Sequence, residues 1–142
     1  KYQYKMAWLT ALRGYMANAI AEYGDVALLG DYNIAPDDRD VHDPKAWEGQ
    51  VLCSPEERDR FNTLLGLGLI DSFRLFEQPE KTFSWWDYRM LGFQKNKGLR
   101  IDHVLLSNPL AECCTASVID RAPRKWEKPS DHAPAVATLT RS

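Results

Sequence analysis

Three short polar clusters stand at the ends of apolar runs and hold the side chains best suited to chemistry: Asp31 with Asn33, Asp102 with His103, and Ser130-Asp131-His132. A carboxylate and a carboxamide held side by side can orient an activated or metal-bound water and a phosphate oxygen together. A histidine beside a buried carboxylate keeps a fixed tautomer and a raised pKa, which suits it to contact a phosphate or to shuttle a proton. The same residues also have an ordinary use. Asp, Asn and Pro are common turn formers, so Asp31 to Pro36 would equally serve as a strand-to-turn cap. A lone Asp-His pair is frequent by chance; three polar clusters at strand ends are less so.

The elements that must position these clusters follow from the apolar pattern. Val26, Ala27, Leu28 and Leu29 read as a fully buried strand, because four apolar residues in a row leave no solvent face. Alternation along a strand then makes Asp31 and Asn33 project together from its carboxyl end. Leu99 to Leu106 reads as a second strongly apolar strand and carries Asp102. Asp131-His132-Ala133-Pro134 stands just before a third, Pro134 to Leu139, and can face a site lined by the other two. Thr82 to Trp86 and Thr115 to Ile119 are rich in strand formers.

Around these strands, Trp8, Leu12, Tyr15, Met16, Ala19, Ile20 and Tyr23 recur at helical spacing, with Gly24 as the stop. Ser54-Pro55-Glu56-Glu57 marks another helix start, with Ser as N-cap, Pro at the first helical position and Glu closing a capping box. The Asp- and Pro-rich stretch from Pro36 to Cys53 reads as a surface loop. The pattern predicts an α/β layered fold with a mixed, mostly antiparallel sheet and flanking helices.

Bulk properties bound the reading. A chain of 142 residues with 44% hydrophobic and 27% charged residues fits one globular domain rather than a disordered segment. The net charge of -2 exerts no global pull on nucleic acid. Yet Arg89, Lys95, Lys97, Arg100, Arg121, Arg124, Lys125 and Lys128 make the later part locally basic, which suits either a solvated face or a phosphate-binding surface. Cys53, Cys113 and Cys114 lack zinc-ligand spacing and read as free thiols of a reducing, cytoplasmic compartment. No apolar run is long enough to span a bilayer, and no signal peptide is visible.

Four segments together point to a family. Gly-Asp-Tyr-Asn-Ile-Ala-Pro at 30 to 36, Phe-Ser-Trp-Trp-Asp-Tyr-Arg at 83 to 89, Gly-Leu-Arg-Ile-Asp-His at 98 to 103 and Lys-Pro-Ser-Asp-His-Ala-Pro at 128 to 134 closely resemble the exonuclease III family of AP endonucleases. The resemblance covers nearly the whole chain in the family's order. It implies a DNase I-like α/β/β/α sandwich and a metal-dependent phosphodiesterase that cleaves DNA at abasic sites and removes nucleotides from 3′ ends in base excision repair.

Carried over residue by residue, Asp31 activates the attacking water, Asn33 orients the phosphate, His132 contacts the scissile phosphate and Asp102 holds that histidine. Asp131, with Asp31 and Asn33, is placed at a Mg²⁺ or Mn²⁺ ion. Trp85, Leu99 and Ile101 match the walls of a pocket for an abasic sugar, one of Trp85 and Trp86 being core and the other at the site. Arg89 and Arg100, with Lys95 and Lys97, are expected on the DNA backbone. His42 and His103 have no counterpart and are expected to be structural or solvent-facing.

Residues 1 to 142 resemble only the C-terminal half of the family's domain. The expectation is an uncovered sheet face, to be covered by the absent N-terminal half or by self-association, and a chain incomplete by itself. Two alternatives stay open: a phosphodiesterase of the same fold acting on another substrate, and a non-catalytic DNA-binding or interaction remnant.

Overall fold

The computed structural model describes residues 1–141. The chain runs α1 (Tyr2–Tyr23), β1 (Ala27–Asp31), α2 (Pro44–Trp47), α3 (Pro55–Leu65), β2 (Ile70–Asp71), β3 (Trp85–Trp86), β4 (Gly98–Leu99), β5 (Asp102–Leu106), α4 (Asn108–Glu112), β6 (Cys114–Ile119) and β7 (Ala135–Leu139). The strands form three antiparallel groups: β1-β5-β2, β3-β4 and β6-β7. This is the layered α/β arrangement expected. Every ladder among the described residues is antiparallel, so the mixed element of the expectation is absent.

Helices α1 and α3 cover one face of the β1-β5-β2 sheet through Met6, Leu9, Met16, Tyr32, Ile34, Phe61, Leu64, Leu69 and Leu105. The helical period of α1 is as read, with Met16 buried and Leu12 and Ile20 packed against the core, but part of the expected stripe faces solvent. Met6, Leu9 and Met16 point inward, whereas Trp8, Tyr15 and Tyr23 are exposed. The helix carries two apolar stripes, and only the slimmer aliphatic one fits against α3 and the sheet. Gly24 ends α1 with φ at +76°, a conformation that costs glycine little, and its N–H bonds Ile20 O. The capping box of α3 is present, with Ser54 Oγ accepting from Glu57 N at 3.2 Å and Glu57 Oε1 accepting from Ser54 N at 3.1 Å.

β1 is not the fully buried strand that its composition predicts. It lies at the edge of the sheet, and Leu29 is 65% exposed on the face opposite the helices. Val118 and Val136, directly opposed on β6 and β7, are also exposed. Four consecutive apolar residues identify a strand but not whether both of its faces are covered.

The predicted strand from Leu99 to Leu106 is interrupted at Arg100-Ile101, where backbone bonds leave the ladder: Arg100 N donates to Asp40 O, and Ile101 N donates to Ser84 Oγ. Gly98 is required just before this break, because a Cβ there would sit 2.6 Å from Trp85 O. The interruption turns Arg100 into the core. Its Nε donates to Asp40 Oδ1 at 2.7 Å and its Nη2 to Asp71 Oδ2 at 2.7 Å, with Arg100 and Asp40 both essentially unexposed. Arg100 therefore cannot reach a DNA backbone, contrary to its expected role.

A guanidinium only donates, so Arg100 Nη1, 3.1 Å from His103 Nδ1, fixes that nitrogen as an acceptor. His103 Nε2–H then donates to Ile34 O at 2.8 Å. Burial, and next the Arg100 charge, hold His103 down to about 4. The unfolded chain therefore takes up a proton that the native chain refuses. This contribution to stability is complete above the unfolded value of 6.5 and is lost as pH falls toward about 4. His103→Gln keeps a donor for Ile34 O and is expected to remove up to about 3 kcal/mol of that pH dependence. Urea unfolding between about pH 4 and pH 7 measures it; a mutant profile parallel to the wild type would contradict the assignment.

Candidate active site

The register of β1 on β5 sets the site. Asp31 lies directly opposite Asp102, and Leu29 opposite Val104, so both carboxylates project from the sheet face that the helices leave bare. His132 is brought to them from the far end of the chain by β3: Trp85 and His132 form an isolated bridge, Trp86 N donates to Asp131 O, and Ala133 N donates to Ser84 O. All three polar clusters of the sequence thus contribute to one place. Within the Asp102-His103 cluster, however, only Asp102 belongs to it, since His103 faces the core.

His132 Nδ1–H donates to Asp102 Oδ2 at 2.9 Å. Its Nε2 stands 3.7 Å from Asp31 Oδ2 and 3.8 Å from Asp131 Oδ1. The hydrogen bond to Asp102 raises the His132 pKa; burial pulls it down, and the negative charges of Asp102, Asp31 and Asp131 push it further up. Burial raises the Asp31 pKa, a backbone bond from Asn33 lowers it, and the Asp102 charge raises it again. The arrangement is an imidazole shifted toward its cationic form, with one ring nitrogen anchored and the other turned toward two acids.

Asn33 is tied to this place through its backbone N–H and not by strand alternation. The strand ends at Asp31, Asn33 adopts φ of +53°, and its N–H donates to Asp31 Oδ1 at 2.8 Å. The two residues form a tight Asx turn in which Asp31 is held by its neighbour's backbone. The following carbonyls are each pinned by a side chain from another element. Lys5 Nζ donates to Asn33 O, His103 to Ile34 O and Arg58 Nε to Ala35 O. Lys5 also pairs with buried Glu57. Lys5, Arg58 and Glu57 are positioning residues that sequence reading missed; the capping box singled out Glu57, but nothing local signals its second partner.

The shallow depression around these groups, about 360 Å³, is lined by Leu29, Asp31, Asp102, Ser130, His132 and Pro134 among others. A larger cleft of about 670 Å³ lies elsewhere, between Asp38–Pro44 and Phe73–Thr82. Convergence of titratable groups marks the smaller one as the candidate site. One ligating atom each from Asp31, Asp102 and His132 lie within 4.8 Å of one another. Carboxylate oxygens in such a cluster suit a hard divalent cation.

The expected sugar pocket is changed. Trp86 is fully buried and Trp85 half-buried, as the alternation predicts, with Trp85 Nε1 donating to Asp131 Oδ2 at 3.0 Å. Leu99 and Ile101, however, are sealed in a cluster with Ala35, Val41 and Cys53, beneath Trp47, Leu52 and Trp85. Neither lines an open cavity. Instead Trp85 shares a surface hollow with His42, Trp47, Arg89, Met90 and Lys97. Arg89 is exposed and paired within its own turn to Asp87. His42 is partly buried, with Nδ1 near Gly98 O.

An antiparallel sheet with helices on one face, and an Asp-anchored histidine facing further acids on the other, defines an α/β protein with a candidate acid–base and cation-binding site. The comparisons are specific: residues 1–132 match the endonuclease/exonuclease/phosphatase family. The chain belongs to that family. It is 41% identical over 141 residues to exodeoxyribonuclease III of Haemophilus influenzae, covering 94% of this chain and 53% of the relative. A Neisseria 3′ phosphatase, NExo, solved with a product DNA hairpin, superposes with a TM-score of 0.96 at 40% identity, covering 99% of this chain and 55% of that one. An AP endonuclease from Archaeoglobus fulgidus gives 0.90 at 35%, covering 97% and 54%. The chain spans about half the length of these relatives. No helix among the described residues is long and apolar enough to cross a membrane.

If Asp102 is what holds His132, then Asp102→Asn should lower the His132 pKa, readable from its ring-proton NMR titration. An unchanged titration would remove Asp102 from the role.

Proposed function

We propose that this chain is the catalytic-histidine half of a metal-dependent DNA phosphodiesterase of the exonuclease III type, which cuts at abasic sites and trims 3′ ends in DNA base excision repair. The observation that carries this reading is His132, held by Asp102 and turned toward Asp31 and Asp131 on an uncovered sheet face.

In this reading the scissile phosphate sits beside His132 Nε2. The imidazolium neutralises charge that develops on a phosphate oxygen, while Asp102 prevents the ring from rotating away. Asp31, fixed through Oδ1 by the Asn33 N–H, presents Oδ2 to accept a proton from the attacking water. The Asn33 carboxamide orients the phosphate. Asp131, Asp31 and Asn33 would hold a Mg²⁺ or Mn²⁺ ion, which when bound supplies positive charge beside the phosphate. Trp85 walls the place taken by the abasic sugar, and Arg89, Lys95 and Lys97 contact the DNA backbone, making binding salt-dependent.

The partners follow from the same features. Double-stranded DNA is the substrate. Exposed Leu29 on β1, and exposed Val118 and Val136 on β6 and β7, support packing against a further layer, provided by the family's other half or by a second copy. Three free thiols fit a reducing cytoplasm.

Cleavage of a duplex holding one abasic site, and of a recessed 3′ end, tests the proposal with magnesium and with chelator. Little cutting is expected from this chain alone, with activity restored by adding a relative's first half. In the restored enzyme, Asp31→Asn and His132→Ala should each lower the rate by about 10²- to 10⁴-fold. Restored cutting indifferent to both substitutions, or none from two folded halves, would overturn the proposal.

A further inference from the structure

Arg124 is a buried cation without an acid. It lies in a 3-10 turn, Ala122–Lys125, is 7% exposed, and forms no ion pair with any of the described residues. Its Nε has no hydrogen-bond partner among them either. Arginine is rarely buried unless paired, because desolvating the charge is costly. What surrounds it is aromatic. The guanidinium carbon is 4.5 Å from the ring centre of Phe93, 5.6 Å from that of Trp86 and 5.8 Å from that of Tyr88. Ring faces attract such a cation, most strongly where water is excluded. Trp86 and Phe93 meet edge to face at 4.9 Å.

The other end of the same guanidinium grips a different segment. Arg124 Nη1 donates to Ser130 O at 2.9 Å, immediately before Asp131 and His132. One side chain thus touches both the aromatic segment from Trp86 to Phe93 and the loop that delivers the site's histidine. Along the same seam Tyr88 Oη donates to Pro129 O at 2.8 Å, and Trp85 Nε1 donates to Asp131 Oδ2.

We propose that Arg124 is a positioning residue that locks the aromatic segment to the Ser130–His132 loop, and so keeps the Trp85 indole in register with the Asp131 carboxylate. The proposal rests on the reading of Asp131 and His132 as site residues, but not on any activity. A planar guanidinium can stack on rings and donate from its edge at once; a lysine ammonium has no such plane, so the residue type itself fits the double task.

Hydrogen exchange of the indole N–H groups in the ¹⁵N-tryptophan-labelled chain tests it without DNA or metal. Trp86 Nε1–H, bonded to Asn96 Oδ1 at 3.0 Å, is the internal reference for global folding. Arg124→Met is expected to speed exchange at Trp85 Nε1–H by about tenfold or more, with Trp86 changed by less than about twofold. Arg121→Met removes a second guanidinium, 4.7 Å from the Phe93 ring and, like Arg124, 5.6 Å from that of Trp86, but without a bond to the loop; it controls for lost stacking on Trp86 and is expected to leave Trp85 unchanged. Where Arg124→Met does not fold, Arg124→Lys is expected to give the same selective change, smaller in size. No change at Trp85, or equal acceleration at both indoles, would overturn the proposal. Because the readout involves no catalysis, failure of the nuclease reading would leave this result standing, and the reverse.

Discussion

The structure depends on a charge buried at the break between β4 and β5. Arg100 joins three segments far apart in sequence: Asp40 in the loop after β1, Asp71 at the end of β2, and His103 on β5. Burial alone would raise the Asp71 carboxyl, but the adjacent guanidinium outweighs it and holds that carboxyl below the usual range. Removing one member of such a web strands the remaining charges in the core, where each costs several kcal/mol, roughly 3–5 for a broken buried pair. The web is therefore all or nothing. Its value to the site is geometric, since the histidine tautomer that Arg100 imposes is the one that pins Ile34 O, three residues after Asp31.

The two faces of the β1-β5-β2 sheet then divide the work. The helix-covered face carries Leu105, His103 and the Arg100 web and supplies rigidity. The opposite face carries Asp31 and Asp102 in direct cross-strand register, with His132 delivered by the β3 bridge. Asp31 and His132 are only partly covered on the bare face, and that is why both feel desolvation and neighbouring charge at once. The same face also exposes Leu29.

Much of this was legible in the residues. The polar ends of apolar runs mark Asp31, Asp102 and His132, and the four motifs point to their family, while the convergence follows from the strand register and the β3 bridge. The Ser54–Glu57 capping box and the Gly24 stop were local chemistry and fell where expected. What escaped the sequence was decided by long-range packing. Arg100 sat among exposed-looking basic residues, and only its distant partners Asp40 and Asp71 draw it inward. Leu99 and Ile101 match the walls of an open pocket, but Trp47 and Leu52, from a loop that reads as surface, pack over them. In α1 either apolar stripe obeys the helical period, and the choice between Met6-Leu9-Met16 and the aromatic stripe is made by α3.

In the proposed function Asp31, Asp131 and His132 form one cation- and phosphate-binding centre. Titrating this chain with Mn²⁺ and following paramagnetic broadening by NMR probes that centre without any substrate or second chain. Resonances of Asp31, Asp131 and His132 are expected to broaden first, and Asp31→Asn to abolish this preference. Broadening that starts instead at the acidic loop from Asp37 to Asp43, or evenly over all exposed acids, would contradict it.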